Sequence, residues 1–254
     1  MRFLVVKSKT IKYALLVILC AVLLGLNFGV GTAASVYFGI VPRKVPIYAV
    51  DTNQKKVAIT FDSAWGADKT LKILETLKEF NANATFFLVG FWVEEYPDMV
   101  KAIYDQGVEI GTHSNTHADF VKLSETDMKL ELETSINLIK NITGNNVELF
   151  RAPYGSYNNS VISVAENLNL KTIQWDVDTL DWKGLTGTEI CNRVVNNVKP
   201  GSIILCHNNS DHILDALPLM LTRLKNMGYT VTSVGDLIIK DDYYVDNLGI
   251  QRKN

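Results

Sequence analysis

The sequence predicts an α/β fold: a parallel sheet with helical crossovers, curled into a barrel and preceded by one N-terminal membrane helix. Three observations carry this. Short apolar runs alternate with longer amphipathic ones seven times. Runs such as SIILC (202–206) are nearly continuously apolar, as strands buried on both faces are. Five of the seven runs end in an ionisable residue: Asp62, His113, Arg151, Asp178 and His207. In a parallel barrel all strand C-termini open on one face, so these five converge there, whereas an open sheet gathers its site at a single switch crevice.

In chain order, residues 1–36 form a basic flank and an apolar segment. From Tyr13 to Ala34 there are 22 residues without a charge, and a helix of that length reaches about 33 Å, enough to cross a hydrocarbon core. Arg2, Lys7, Lys9 and Lys12 precede it with no acid among them, so the positive-inside rule keeps residues 1–12 in the cytoplasm and sends the rest outside. Gly31 to Ala34 also suits a signal-peptidase site, which would release the domain, but the length of the apolar run favours an uncleaved, single-pass cell-membrane anchor. Residues 37–54 read as a linker, 55–240 as one domain and 241–254 as a polar tail.

Within the domain the strand candidates are residues 56–62, 83–90, 108–113, 147–153, 170–178, 201–207 and 229–234. Helical patterns lie at 68–80, 124–142 and 212–228, the last closed by Gly228. A formal charge of −2 and the absence of a basic surplus in the domain argue against a nucleic-acid partner. No protein partner is inferred. The three cysteines give no disulfide framework, since Cys20 lies in the membrane segment, and Cys206 reads as a buried free thiol rather than a bridge to Cys191.

The chemistry-bearing residues cluster at the strand ends. His113 and His117 in HSNTH are four apart, so two imidazoles reach one metal ion if the segment turns helically. Asp62 in TFDSAWG reads as a metal ligand, a proton acceptor or a helix N-cap. Arg151 in RAPYG precedes Pro153 by two, which biases the chain to extended geometry and leaves a following N–H free. Asp178 and Asp181 in DTLDW can orient an Arg or a His. Trp182 suits stacking on a sugar face. His207 ends LCH, and His212 reads as an exposed residue at a helix start. A metal, a base, an acid and an oxyanion stabiliser are the equipment of metal-assisted hydrolysis.

The ordered set TFDS, HSNTH, RAPYG, DTLDW and LCH resembles the five motifs of the polysaccharide deacetylase family, the NodB-homology or carbohydrate esterase family 4 domain. The likeness covers about 190 residues. It implies a deformed (β/α)7 barrel that hydrolyses N-acetyl groups from GlcNAc or MurNAc units of a glycan. It also implies a divalent metal, Zn2+ in such sites, on His113 and His117. In that pattern Asp62 is the general base, held by Arg151, and the N–H of Tyr154 helps form the oxyanion hole. His207 is the general acid, Leu205 lines the acetyl pocket, and Asp178 or Asp181 orients charged neighbours. The membrane segment and the TFDxxWG form resemble the sporulation-associated deacetylases of spore-forming Gram-positive bacteria.

One departure matters. The family pattern has two adjacent acids in its first motif, the second a metal ligand, and here that position is Ser63. A hydroxyl is a poor zinc ligand beside a carboxylate, so the ion needs oxygen from elsewhere, with Asp68 the nearest candidate. Two expectations follow: a metal-dependent glycan N-deacetylase, or a wall-binding domain that keeps the cleft without the activity.

Overall fold

In this computed structural model the described residues are 12, 13, 15–19 and 42–254. The first group is helical, and the remainder of the proposed membrane segment lies outside the described residues. Among the described residues no helix is long and apolar enough to cross a membrane. The chain divides into two units, Met1–Arg43 and Lys44–Asn254. The folded domain therefore begins ahead of residue 55, within the segment read as a linker.

The sheet is parallel throughout. Its strands are β2 (Lys56–Ser63), β3 (Thr85–Leu88), β4 (Glu109–Thr112), β5 (Leu149–Phe150), β6 (Lys171–Thr172), β7 (Val177–Asp178), β8 (Ile203–His207) and β9 (Thr230–Thr232), following β1 (Ala49–Val50). The spatial order is β6-β5-β4-β3-β2-β8-β7, and β9 pairs with the first residues of β2. Register places Asp62 beside Phe87 of β3 on one side and beside His207 of β8 on the other.

Crossover helices cover the outer face. α1 (Thr70–Glu79) buries Ile73, Leu74 and Leu77 at helical spacing. α2 (Gly90–Glu95) and α3 (Pro97–Asp105) follow β3, with Pro97 at the first position, where its missing N–H costs nothing. α4 (Glu125–Thr143) starts where the Ser124 side chain accepts from the Asp127 amide and stops at left-handed Gly144, φ 73°. α5 (Asn159–Asn167) is capped by Asn158, and α6 (Gly187–Asn197) opens on a Thr186–Glu189 capping box. α7 (Ile213–Asn226) and the short α8 (Val234–Leu237) complete the layer.

The alternation of β2 sets the polarity of the interior. Val57, Ile59 and Phe61 face the helices within the larger apolar cluster. Ala58 belongs to the second cluster with Phe87, Leu149, Ile173 and Ile203. With period two, Thr60 and Asp62 continue the Ala58 row, so the inner face grades from apolar to hydroxyl to carboxylate toward the strand C-terminus.

Three expectations change. The barrel is a curled half-barrel, because β6 and β7 are the two ends of the sheet order and do not pair. The run 170–178 is two short strands rather than one. Its middle residues cross the opening: the Gln174 amide donates to Ile47 O, and the Asp176 carboxylate accepts from Ser202 Oγ and the Ile203 amide. The crossing backbone stays paired, Ile173 N to Phe150 O, Gln174 N to Ile47 O and Asp176 N to Ile203 O, as a buried chain between two sheet edges requires. Residues 241–254 are folded rather than a loose tail. β10 (Tyr243–Val245) and β11 (Ile250–Lys253) form a three-stranded sheet with β1. Gln251, fully buried, fastens that sheet by donating to Ile239 O and accepting from the Ile239 amide. Cys191 and Cys206 are buried free thiols, as read, and Cys20 lies outside the described residues.

Candidate active site

Asp62 and Arg151 form the buried base of the site. Arg151 is completely buried and Asp62 nearly so. The guanidinium donates from Nη1 to Asp62 Oδ1 at 2.7 Å and to Thr60 Oγ1 at 2.7 Å, and from Nη2 to Gln174 O at 3.1 Å. Its Cζ lies 4.1 Å from the centroid of the Phe87 ring. Burial pushes the Asp62 carboxyl up, but the charges of Arg151, His113 and His207 outweigh it and hold the group below its ordinary value. Asp62 is thus an ionised carboxylate at neutral pH, and Arg151 is a core residue rather than a surface turn residue.

His113 follows β4 and is buried. Its Nδ1 lies 2.7 Å from Arg151 O. A carbonyl can only accept, so Nδ1 carries the proton and Nε2, 3.5 Å from Asp62 Oδ2, faces the carboxylate. Burial lowers the basicity of this ring despite the carboxylate beside it. The HSNTH segment does not turn helically. Ser114 and His117 take left-handed backbone, φ 73° and 58°, and Ser114 Oγ accepts from the His117 amide. The carboxylate of Glu131 on α4 accepts from the amides of Asn115 and Thr116 and from Thr116 Oγ1. The result brings the two rings to 5.0 Å between centroids. Burial, and then the neighbouring His113, push His117 down to about 4, so it is neutral.

His207 ends β8 on the opposite flank of Asp62. Asp181, buried, accepts from its ring at 2.7 Å and from its backbone amide at 2.8 Å. Burial lowers the His207 ring, but the hydrogen bond and charge of Asp181 more than offset this and raise it above 6.5. Of the two acids left open by the sequence, Asp181 orients His207. Asp178 instead accepts from the Leu180 amide and holds the loop.

Asp62, His113, His117, Tyr154, Asp178, Asp181, Trp182, Leu205 and His207 all line one cavity of about 710 Å3. Tyr154 has φ 61°, and the hydrogen bonds of its turn run from Gly155 N to Ala152 O and from Ser156 N to Pro153 O, so they do not use the Tyr154 N–H. Arg151 lies beneath this wall. Asp68 is not brought in: it is exposed, beside Gly66, and does not line the cavity. A lysine follows it at the mouth of α1, and Lys69 is tied to Asn209 O. His212 stands at the start of α7, as expected.

The donor chemistry fits a divalent ion in part. His113 and His117 supply two imidazoles, and the His117 Nδ1 is buried without a hydrogen-bond partner. Ser63 is fully buried, and its Oγ also has no partner. Among the described residues no group of three or more His, Cys, Asp or Glu side chains is arranged to hold a metal. The residues therefore offer an ion two imidazoles rather than the three protein ligands that zinc hydrolases use.

The Polysaccharide deacetylase family model matches residues 49–173. A peptidoglycan-N-acetylglucosamine deacetylase of Bacillus cereus is 36% identical over 180 residues, 69% of this chain and 66% of that protein. The peptidoglycan-N-acetylmuramic acid deacetylase PdaA of Bacillus subtilis is 30% identical, over 79% of this chain and 78% of that one. A solved CE4 family pseudoenzyme from Bacillus anthracis is 37% identical with a TM-score of 0.74, over 76% of this chain and 68% of that one. The chain belongs to the polysaccharide deacetylase family. A mutant of that same pseudoenzyme, described as having restored enzymatic activity, superposes with an equal TM-score at 38% identity.

Sequence reasoning missed several cavity residues of this polysaccharide deacetylase domain: Trp65, Trp175, Asn209, Ser210 and Asp211. Trp65 had a readable signal, a large aromatic side chain inside the first motif's turn. Thr60 and Gln174, which hold Arg151, had none, because their partners are set by tertiary packing alone.

Proposed function

We propose that this domain removes N-acetyl groups from GlcNAc or MurNAc units of a cell-wall glycan, releasing acetate and a free amine. The observation that carries this is the placement of two differently tuned groups across one cavity: Asp62, its carboxyl held below the ordinary value by Arg151, and His207, its ring made more basic by Asp181. A base and an acid set apart by their surroundings are what amide hydrolysis requires. Asp62 takes the proton of the attacking water. The N–H of Tyr154 donates to the oxygen of the acetamide as it gains charge, an interaction worth on the order of 3 kcal/mol in such sites. His207 protonates the departing nitrogen, which would otherwise leave as an amine anion, and Leu205 packs the acetyl methyl. A divalent ion on His113 and His117, zinc by its preference for imidazole, would polarise the carbonyl and acidify water.

The substrate reading rests on the names of the relatives, and the extracytoplasmic, membrane-anchored location rests on the apolar segment 13–34 and its basic flank. The association with sporulation rests on the TFDxxWG motif. The deciding experiment incubates the full chain with peptidoglycan and N-acetylated chitooligosaccharides, with and without added zinc, and measures acetate.

A second reading is favoured by Ser63 and by the pseudoenzyme relative: a domain that binds wall glycan without turning it over. Glycan binding with no acetate under any metal condition selects it over the first.

A further inference from the structure

Trp65 lies in the turn after β2, lines the cavity and is 59% exposed. Leaving an indole in water forfeits about 25 cal/mol for every Å2 of apolar surface that burial would remove, so the position calls for a reason. The backbone that carries it is not loose. The adjacent Gly66 O accepts from Trp92 Nε1 at 2.7 Å and from Asn208 Nδ2 at 2.8 Å, and both donors belong to buried residues. Gly66 itself has φ 62°, a conformation that favours glycine. An exposed aromatic side chain is thus held on a pinned turn, which is how a preformed binding surface is built.

Its surroundings give the surface a ligand chemistry. Of the four exposed large aromatic side chains in residues 44–254, Trp65, Tyr154 and Trp182 line this one cavity, and Tyr244 alone lies elsewhere. Trp65 and Tyr154 meet the His117 ring edge-on at centroid distances of 5.2 and 4.7 Å. Trp182 follows Asp181 directly, on the side of His207. Aromatic surface therefore flanks both imidazole groups, with carboxylates between. A pyranose offers an apolar face of C–H bonds and a rim of hydroxyls, which suits such a wall, whereas an anionic or purely apolar ligand does not.

We infer that Trp65 is a sugar-stacking platform, holding a pyranose of an N-acetylated oligosaccharide next to the unit that reaches His207, and that it does so without a metal. The inference deepens the glycan reading above and rests on it.

The test is isothermal titration calorimetry of the full chain in EDTA, with N,N′,N″-triacetylchitotriose and with GlcNAc as probes. Trp65→Ala is expected to weaken trisaccharide binding at least about tenfold, which is 1.4 kcal/mol, while GlcNAc binding changes little. Trp65→Phe, which keeps an aromatic face, is expected to recover most of the loss, and circular dichroism checks that both variants fold. Equal trisaccharide affinity in wild type and Trp65→Ala, or no trisaccharide binding by the wild type, overturns the inference. Acetate release separates it from the catalytic reading: a Trp65-dependent affinity with no acetate under any metal leaves the platform standing and removes the deacetylase. Acetate release with an unchanged KM in Trp65→Ala does the reverse.

Discussion

His207 and Asp181 are joined twice, ring to Oδ1 at 2.7 Å and backbone amide to Oδ2 at 2.8 Å. One carboxylate therefore fixes both the position of the strand end and the charge of the ring it carries. Because Asp181 raises His207 above 6.5, the acid form persists to higher pH than in a free imidazole. Asp181→Asn removes the charge and keeps an acceptor, so the alkaline limb of the pH–rate profile is expected to move to lower pH. Stability gives a second readout. A raised histidine contributes stability below its unfolded value of 6.5, and that contribution is lost as pH rises through the folded value. The Tm gap between wild type and Asp181→Asn should therefore be widest near pH 6 and narrow toward pH 9. A gap independent of pH would show that the pair is not charged.

Arg151→Met leaves the Asp62 carboxylate buried with its main partner gone. Methionine keeps much of the side-chain volume but not the guanidinium that lies over the Phe87 ring, so the loss is mainly electrostatic, and breaking a buried pair this way costs about 3–5 kcal/mol. The sign with pH is opposite in the two proteins. In the wild type Asp62 sits below its ordinary 3.8, so its contribution is intact above that value and is lost only as pH falls through the lower folded value. In the variant burial is no longer outweighed, the folded value rises, and protonation relieves the charge. Urea midpoints should therefore converge as pH falls from 7 to 4, and a constant difference would show that packing, not charge, carries the loss.

Most of the fold was legible because each signal was local. Strands β2, β3, β4, β8 and β9 and helices α1, α4 and α7 announce themselves by continuous apolar runs or 3.6-residue periodicity. The break at Ile173–Asp176 was not legible, since IQWD looks like a continuation of its strand and only the approach of Ile47 and Ile203 stops it. Residues 243–253 read as a tail because their sheet is polar on its open side, and nothing in DDYYVDNLG reveals that Gln251 is buried. In the site, the residues at strand ends were readable from where the apolar runs stopped. The choice of Asp181 over Asp178 was not, because both follow the same strand and only the approach of β8 distinguishes them. Asp68 failed as a ligand for a similar reason: its distance from Asp62 along the chain says nothing of the turn at Gly66, which directs the chain toward α1.

Glu131 holds the HSNTH turn from a helix outside the site, accepting from two amides and a hydroxyl. Removing it in Glu131→Ala leaves the Asn115 and Thr116 amides to water. The expected loss is about 1–3 kcal/mol, with amide exchange at 115 and 116 faster by tenfold or more while exchange in α4 stays unchanged. Glu131→Gln, which still accepts, should recover most of the protection. Exchange at wild-type rates in Glu131→Ala would mean that Ser114 Oγ, together with the hydrogen bonds that Ser114 O and Asn115 O accept from the Gly90 and Phe91 amides, fixes the turn unaided.

Ser63→Asp tests whether the imidazole pair is one carboxylate short of a metal site. Ser63 is buried and its hydroxyl is unpaired, so an aspartate there places a charge in a dry position that only a cation can compensate. In EDTA the variant should melt below the wild type. Zinc should bind it at least about tenfold more tightly than the wild type and raise its Tm with the logarithm of ligand concentration, because an ion that binds only the folded chain stabilises it by mass action. His113→Ala in the same background should abolish both effects, whereas His207→Ala should leave zinc affinity unchanged and remove any acetate release. Zinc affinity equal in Ser63→Asp and wild type would place the missing ligand somewhere other than beside Asp62. Equal zinc loss in the two histidine variants would make His207 a ligand rather than the acid.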